Sequence, residues 1–556
     1  MTSSTTSTGS DLSAAVPDPP STLSHAPQSH PTLHNWSSTY NCSPELLFFP
    51  TTNEEVALIL KEAVKRGMKV RAVGLHQSPG PAWHSDQWLI STRHFTQSSF
   101  SPSTRTATLG AGLVLRDVNP ILASHGLALP TMGSLADVTI GALFSGPDHG
   151  SSAFHPVCAA NAKSATIVLP SGEVRRIEKG EELFNAAAAG VGAVGIVTEV
   201  EWACEEAFGL EVTMEPCRLE DYLEDSDSGA KLWELARSSE YVKLWYYPSP
   251  TWSATSPNTV LWRARRVPLP PPQRETSLSV LSARCMHTLH GLAYLLTTYL
   301  LPALQPWLNA FLYWGLGGSL PKKEIMRSYE AQYMDCGYNQ LVNEWSAPLP
   351  APGVLASTHD SKLETDKRTS PPAPAAQVLR SLIGLFASPE GRAIGMHAPV
   401  ELRFSAVKGG EELMLSPGGK YGDLLGRDDD AEDLIMWFEP IVYRPLNLPT
   451  PARFYRFFQL FESYLRSHPG CRPHWTKGHF ASSEADLERM FGRERLERWR
   501  RIRDEVDPQK IMWNQWLEER VGSTEGRAGV AREETRSGRW EDVMGRSGFQ
   551  MPAFLR

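Results

Sequence analysis

A carboxylate and a guanidinium stand one residue apart in the segment HAPVELRF, residues 397–404, where Glu401 and Arg403 alternate with Val400, Leu402 and Phe404. A strand sends successive side chains to opposite faces, so Glu401 and Arg403 share one face and the three apolar residues the other. Side by side, such groups can exchange a proton and hold negative charge. Taken alone, the couple reads as a partly exposed structural ion pair. PHWTK, residues 473–477, adds His474 and Lys477 on a loop, where the plain reading is a polar turn.

Glycines are the second chemical signal. Two Gly-rich loops follow expected strands in the N-terminal part: VRAVGLHQSPGP, residues 70–81, and LPTMGSLADVTIGALFSGPDHGSS, residues 129–152. A third run, AAAGVGAVGIVTEVEW, places Gly190, Gly192 and Gly195 just before a strand. Such loops let backbone N–H groups meet the phosphates of a dinucleotide. Neither of the first two loops matches GxGxxG or the Walker pattern, so they lend Rossmann and P-loop readings no motif support. Singly, each glycine is ordinary turn chemistry.

The elements that must position these groups need room, and 556 residues supply it: two large domains sharing an interface are the expectation. With 41% hydrophobic and 21% charged residues and a formal net charge of -8, the composition is globular and carries no preference for nucleic acid. Seven scattered cysteines with no CxxC pair speak against a disulfide framework and a zinc site, and fit a reducing compartment. The first basic residue is Lys61, so no cleaved targeting segment is expected.

Residues 1–33, rich in Ser, Thr, Pro and His, read as a disordered tail. From 34 to 208 short β-branched runs are punctuated by Gly and Pro, with a helix in TTNEEVALILKEAVKRG capped by Thr52 or Asn53. From 209 to 520 strands alternate with longer helices. Within that part, residues 289–320 contain no Asp, Glu, Lys or Arg. The length could span a bilayer, but Pro302 and Pro306 break it, leaving a membrane-surface patch or a buried helical pair. Residues 357–377 read as a charged, Pro-rich surface insertion, and 521–556 as a loose tail.

The order and flanks of these loops resemble the aldonolactone oxidoreductases of the vanillyl-alcohol oxidase superfamily, whose FAD domain carries VGxGHSPS, then GSI...G...STGTHGSS, then a G.IGI strand. The resemblance runs from Asn35 to Trp516 and includes Asn35 and Trp36, SSEYVKLWYYP, VLWR, MDC, VYRP, PHWTK and DPQK at 507–510, and the WYYP and MDC segments look most like the fungal D-arabinono-1,4-lactone oxidase branch. It implies an α+β, two-domain fold: a PCMH-type FAD-binding domain, then an α+β substrate (cap) domain whose C-terminal segment returns to the flavin. The implied cofactor positions are Val73, Gly74, His76, Gln77, Ser78, Pro79, Gly133, Ser134, Gly141, His149, Gly150, Gly195 and Ile196.

The family's flavin-linking histidine falls on Gln77, which cannot form that bond. Non-covalent FAD is the favoured reading, with attachment through His76 or loss of flavin as alternatives. STGTHGSS becomes 145–152 with Pro147, which has no N–H to donate, and Asp148, which would bring negative charge toward the cofactor. The resemblance also implies oxidation of the C2 hydroxyl of a sugar lactone, D-arabinono-1,4-lactone or a similar one, in erythroascorbate biosynthesis. Hydride leaves for the flavin, Arg403 and Lys477 hold oxyanion charge, and His474 or Glu401 takes the proton. Electrons then pass to O₂, giving H₂O₂, in preference to cytochrome c. No metal is implied, a mitochondrial membrane location is, and an alditol oxidase or a flavin-free pseudoenzyme stands as the alternative.

Overall fold

The computed structural model describes residues 23–521 except 224–227, 249–255, 273–276, 318–320, 335–338, 353–372, 426–431 and 479–483. Most of the N-terminal tail, residues 357–372 of the insertion and nearly all of the C-terminal tail therefore lie outside the described residues. The parts of those segments that are described are ordered differently from expectation. Gln28–Ser29 adds to a sheet beside Leu46–Phe48, and Leu33–His34 pairs with Asn41–Cys42. Pro374–Ala387 is a helix whose first turn, Pro374 to Ala376, is buried, because Pro is well placed at a helix start and this turn packs on the core.

The N-terminal part is built on two larger sheets. In the first, Leu46–Phe48, Trp88–Ser91 and Val70–Val73 run parallel. Parallel neighbours need a crossover, and the helix Asn53–Arg66 provides it. Thr52 caps it by accepting from the Glu55 N–H, Val56, Ile59, Leu60 and Ala63 are fully buried, and Gly67 ends it at φ 68°. The second sheet is antiparallel, ordered Val174–Glu178, Ala162–Val168, Ile196–Ala203, Thr106–Gly110, Ser98–Ser101.

The C-terminal part is built on one eight-stranded antiparallel sheet, in the order Lys322–Arg327, Gly209–Cys217, Thr259–Val267, Tyr241–Tyr246, Val400–Ala406, Leu434–Glu439, Trp345–Leu349, Arg472–Pro473. Val400–Ala406 lies near its middle, and all seven of its residues are buried. The partly exposed ion pair of the sequence reading is thereby corrected: the polar face of this strand is covered too, by the N-terminal loops. The apolar face, Leu402 and Phe404, joins a core with residues of the helices Pro374–Ala387 and Ala452–Ser467, such as Leu382 and Phe457. The chain end returns to the first sheet: Ile511 O accepts from Val70 N, and Met512 O accepts from Arg71 Nη1 at 2.8 Å.

The uncharged segment forms the helix Ser277–Leu295, a π turn Leu296–Leu300, a short turn Pro302–Leu304 and the helix Gln305–Gly317. Pro302 breaks the run, whereas Pro306 does not: it sits in the first turn of the second helix, where its missing N–H costs nothing. Tyr294 and Tyr313 are buried, and Leu289, Leu292, Leu300, Trp307, Phe311 and Trp314 are exposed. Among the described residues no helix is long and apolar enough to cross a membrane. Six of the seven cysteines are described, and these six are free thiols.

Candidate active site

A cavity of about 220 Å³ separates the N-terminal loops from the eight-stranded sheet. Of the residues singled out in the sequence, Val73, Gly74, His76, Gln77, Ser78, Pro79, Gly133, Ser134, Gly141, His149, Gly195, Glu401, Arg403, His474 and Lys477 line it. Gly150 and Ile196 do not. Ile196 is fully buried in a core with Ile90, Val168 and Ile511. Gly150 packs under the Thr131 side chain, where a Cβ would come within 2.2 Å of Oγ1.

At one end the loop after Val70–Val73 crosses the cavity wall. Among the described residues, the backbone N–H groups of Gly74, Leu75, His76, Gln77 and Ser78 donate to no protein acceptor. These five consecutive N–H groups are donors of the kind that a pyrophosphate takes up. His76 holds φ 55°, a conformation that suits glycine, and its ring lies 5.2 Å from that of Trp83. Gln77 Nε2 donates to its own loop at Leu75 O, 3.3 Å away. The donor set fits the phosphates of FAD.

At the other end the sheet presents a buried charge cluster. Its centre is Glu344, at the end of QLVNE just before the strand Trp345–Leu349. Arg403 Nη2 lies 2.7 Å from Glu344 Oε1 and Lys477 Nζ 2.8 Å from Oε2. The same cations hold Glu439, at 2.5 Å and 2.7 Å. Glu439 stands directly opposite Glu401 in the strand register, so three carboxylates share two cations. Glu401 is the least engaged: Trp245 Nε1 donates to Oε1 at 3.4 Å and Arg403 Nε lies 3.5 Å from Oε2. Two histidines complete the cluster, His149 Nε2 at 3.2 Å from Glu344 and His474 Nε2 at 3.8 Å.

Electrostatics sorts these groups into roles. Burial alone would raise the Glu344 carboxyl, but Lys477, Arg403 and His149 hold it well below the usual range. Glu439 moves up, through burial and then its neighbour Glu344. Burial drives His474 well below the ordinary imidazole value and His149 down to about 4, leaving both rings neutral. Lys477 stays firmly charged: the two carboxylates outweigh its burial. Asp148 is pushed up to about 6 by burial, and the charges acting on it are Lys477, Glu344 and Arg403. Its carboxyl feels the cation cluster and also lines the cavity. Although donor atoms of His149, Glu344 and His474 lie within 4.8 Å of one another, Arg403 and Lys477 already supply the positive charge there.

The two ends are stitched together. Ser152 N donates to Phe404 O at 2.8 Å, and Phe404 N donates to Ser151 Oγ at 3.2 Å. His149 stacks on Trp437 with ring centroids 3.7 Å apart. The divergent loop 145–152 is thus bonded to the strand that carries Glu401 and Arg403. Sequence reasoning missed Glu344, Glu439 and Trp437. The available signal was a lone carboxylate in each of two apolar runs, LVNEW and LIMWFEP, since unpaired acids are almost never buried.

A family described as D-arabinono-1,4-lactone oxidase matches residues 200–520, more than half of the chain. The chain belongs to the D-arabinono-1,4-lactone oxidase family. Its N-terminal part matches an FAD binding domain over residues 44–178. L-gulonolactone oxidase from Scyliorhinus torazame is 27% identical over 495 residues, covering 87% of this chain and 97% of the relative. D-arabinono-1,4-lactone oxidase from Kluyveromyces lactis is 26% identical over 481 residues, covering 80% and 83%. Cholesterol oxidase from B. sterolicum shares the fold of this family member with a TM-score of 0.70 at 15% identity, covering 91% of this chain and all of that one.

Proposed function

We propose that this protein is an FAD-dependent aldonolactone oxidase that converts the C2 hydroxyl of D-arabinono-1,4-lactone, or a close relative, to a ketone, with O₂ as acceptor and H₂O₂ as product. The observation that carries the reading is a single cavity with free backbone N–H groups at one end and the Glu401, Arg403, His474 and Lys477 cluster at the other. Bound FAD supplies the hydride acceptor that protein side chains lack. Arg403 and Lys477 stabilise negative charge on the C2 oxygen as its proton leaves. Glu401 takes that proton: Glu344 and Glu439 each have both oxygens engaged by cations or His149, whereas its own two contacts are long. His474, neutral and close to Glu344, orients the hydroxyl.

The flavin is held without a covalent bond, a reading supported by Gln77 at the family's linking position. Mixing purified protein with the lactone anaerobically should bleach the flavin bands, and readmitting air should restore them with one peroxide per lactone. Acid precipitation should leave flavin in the supernatant. Unbleached flavin with every aldonolactone tested would refute the assignment.

The exposed apolar ridge of Leu289, Leu292, Leu300, Trp307 and Trp314 supports peripheral attachment to a membrane surface, a mitochondrial one by the resemblance of the sequence. Co-sedimentation with phospholipid vesicles tests this, and protein that stays in the supernatant speaks against it.

A further inference from the structure

Behind the contact between Arg403 Nη1 and Ser134 Oγ, 3.1 Å long, lies a second void of about 10 Å³. That is room for one water or one hydroxyl group. Its walls include Lys243, Gln332, Trp262 and Ser151, together with Ser134 and Arg403, which also face the main cavity. The register sets Trp245 opposite Glu401 and Leu244 opposite Leu402, so strand alternation puts Lys243 on the same face as Arg403, one strand over.

Lys243 is 4% exposed, and among the described residues it makes no hydrogen bond or ion pair. Its ammonium lies 4.4 Å from the Trp262 ring centroid and 5.6 Å from that of Trp245. Burial pulls its pKa down to about 8. Lysine is almost never buried without a partner, and two indole faces offset only part of its desolvation. Gln332 is its counterpart: Nε2 donates to Ser328 O at 3.2 Å, while Oε1 is buried with no partner. An orphaned donor and an orphaned acceptor thus belong to two residues that line one void of hydroxyl size.

We propose that this void is a hydroxyl subsite of the lactone site, in which a substrate hydroxyl other than the one oxidised accepts from Lys243 and donates to Gln332. A hydroxyl both donates and accepts within that volume, and rotation of the Ser134 side chain opens the partition to it. A methylene in its place leaves both buried partners unsatisfied, which makes Lys243 and Gln332 specificity residues. The proposal rests on the aldonolactone reading above.

The test compares D-arabinono-1,4-lactone with its 3-deoxy and 5-deoxy analogues on the wild-type holoenzyme, Lys243→Met and Gln332→Leu, by steady-state kinetics and calorimetric binding. Wild type should favour the parent over one analogue by about 100-fold in kcat/KM, and both variants should lower that ratio below about 5-fold while turning over the analogue as wild type does. Equal losses on all three lactones would assign Lys243 a purely structural role and overturn the proposal. Unchanged discrimination would do the same, leaving the void to a resident water. Should Lys243→Met fail to fold, Gln332→Leu decides. If wild type oxidises no lactone, it is the aldonolactone reading that fails, and the binding ratios then judge the subsite independently.

Discussion

The two ends of the cavity are built on different principles. The N-terminal end is made of loops that offer backbone N–H groups, and it holds His76, Gln77, Pro147 and Asp148, where the sequence departs from the motifs of the family it resembles. The sheet end is made of side chains on and beside adjacent strands, locked by ion pairs of 2.5–2.8 Å. Backbone donors tolerate changes of side chain, because the N–H survives any substitution except proline. A shared charge cluster does not: removing one member leaves the others buried and uncompensated.

The sharpest way to break this contrast is Arg403→Met. It strands Glu344, Glu401 and Glu439 with one cation, and kcat/KM should fall at least about 1,000-fold, with a stability loss of about 3–5 kcal/mol in a denaturant titration. Next is Glu401→Gln, which removes the proton acceptor but keeps its shape. Here kcat should fall about 100-fold or more while lactone binding, read by calorimetry, stays near wild type. A large KM effect with unchanged kcat would move the base elsewhere.

Asp148→Asn tests the loop side and should act in the opposite direction. A carboxyl whose folded pKa is raised to about 6 destabilises the protein above its unfolded value near 3.8, so at pH 7 the amide should stabilise by about 1–3 kcal/mol. That gain should vanish below about pH 4. The buried imidazoles give a fourth, smaller effect. His149 is depressed to about 4 and His397 to about 3, both by burial, while the unfolded rings titrate near 6.5. Below that pH only the unfolded chain takes up these protons, so stability is full above about 6.5 and drains away toward pH 3–4. The apparent Tm should fall over that window, and His397→Asn should flatten its lower part.

Much of the architecture was legible. Thr52 as a cap and the helix through Ala63 follow from local patterns, as does the alternation that put Glu401 and Arg403 on one face. What the pattern could not supply was depth. Both faces of Val400–Ala406 are buried because separate parts of the chain cover it, and only long-range pairing reveals that Glu439 stands opposite Glu401 and that Glu344 sits between two cations. Gly150 and Ile196, carried over from the family's motifs, lie off the cavity wall for the same reason: a motif does not say which side of the loop or strand faces in. Lys243 escaped notice because a lysine among aromatic residues reads as an exposed strand position until Trp262 and Trp245 enclose it.

The bonds from Ser151 and Ser152 to Phe404 carry a consequence for how such enzymes diverge. A loop and a strand that line the cavity from opposite sides are, at this seam, one piece of backbone architecture. Halves taken from two family members should therefore join poorly unless the seam residues travel with them, and a lineage that retunes its flavin loop is obliged to carry its substrate strand along.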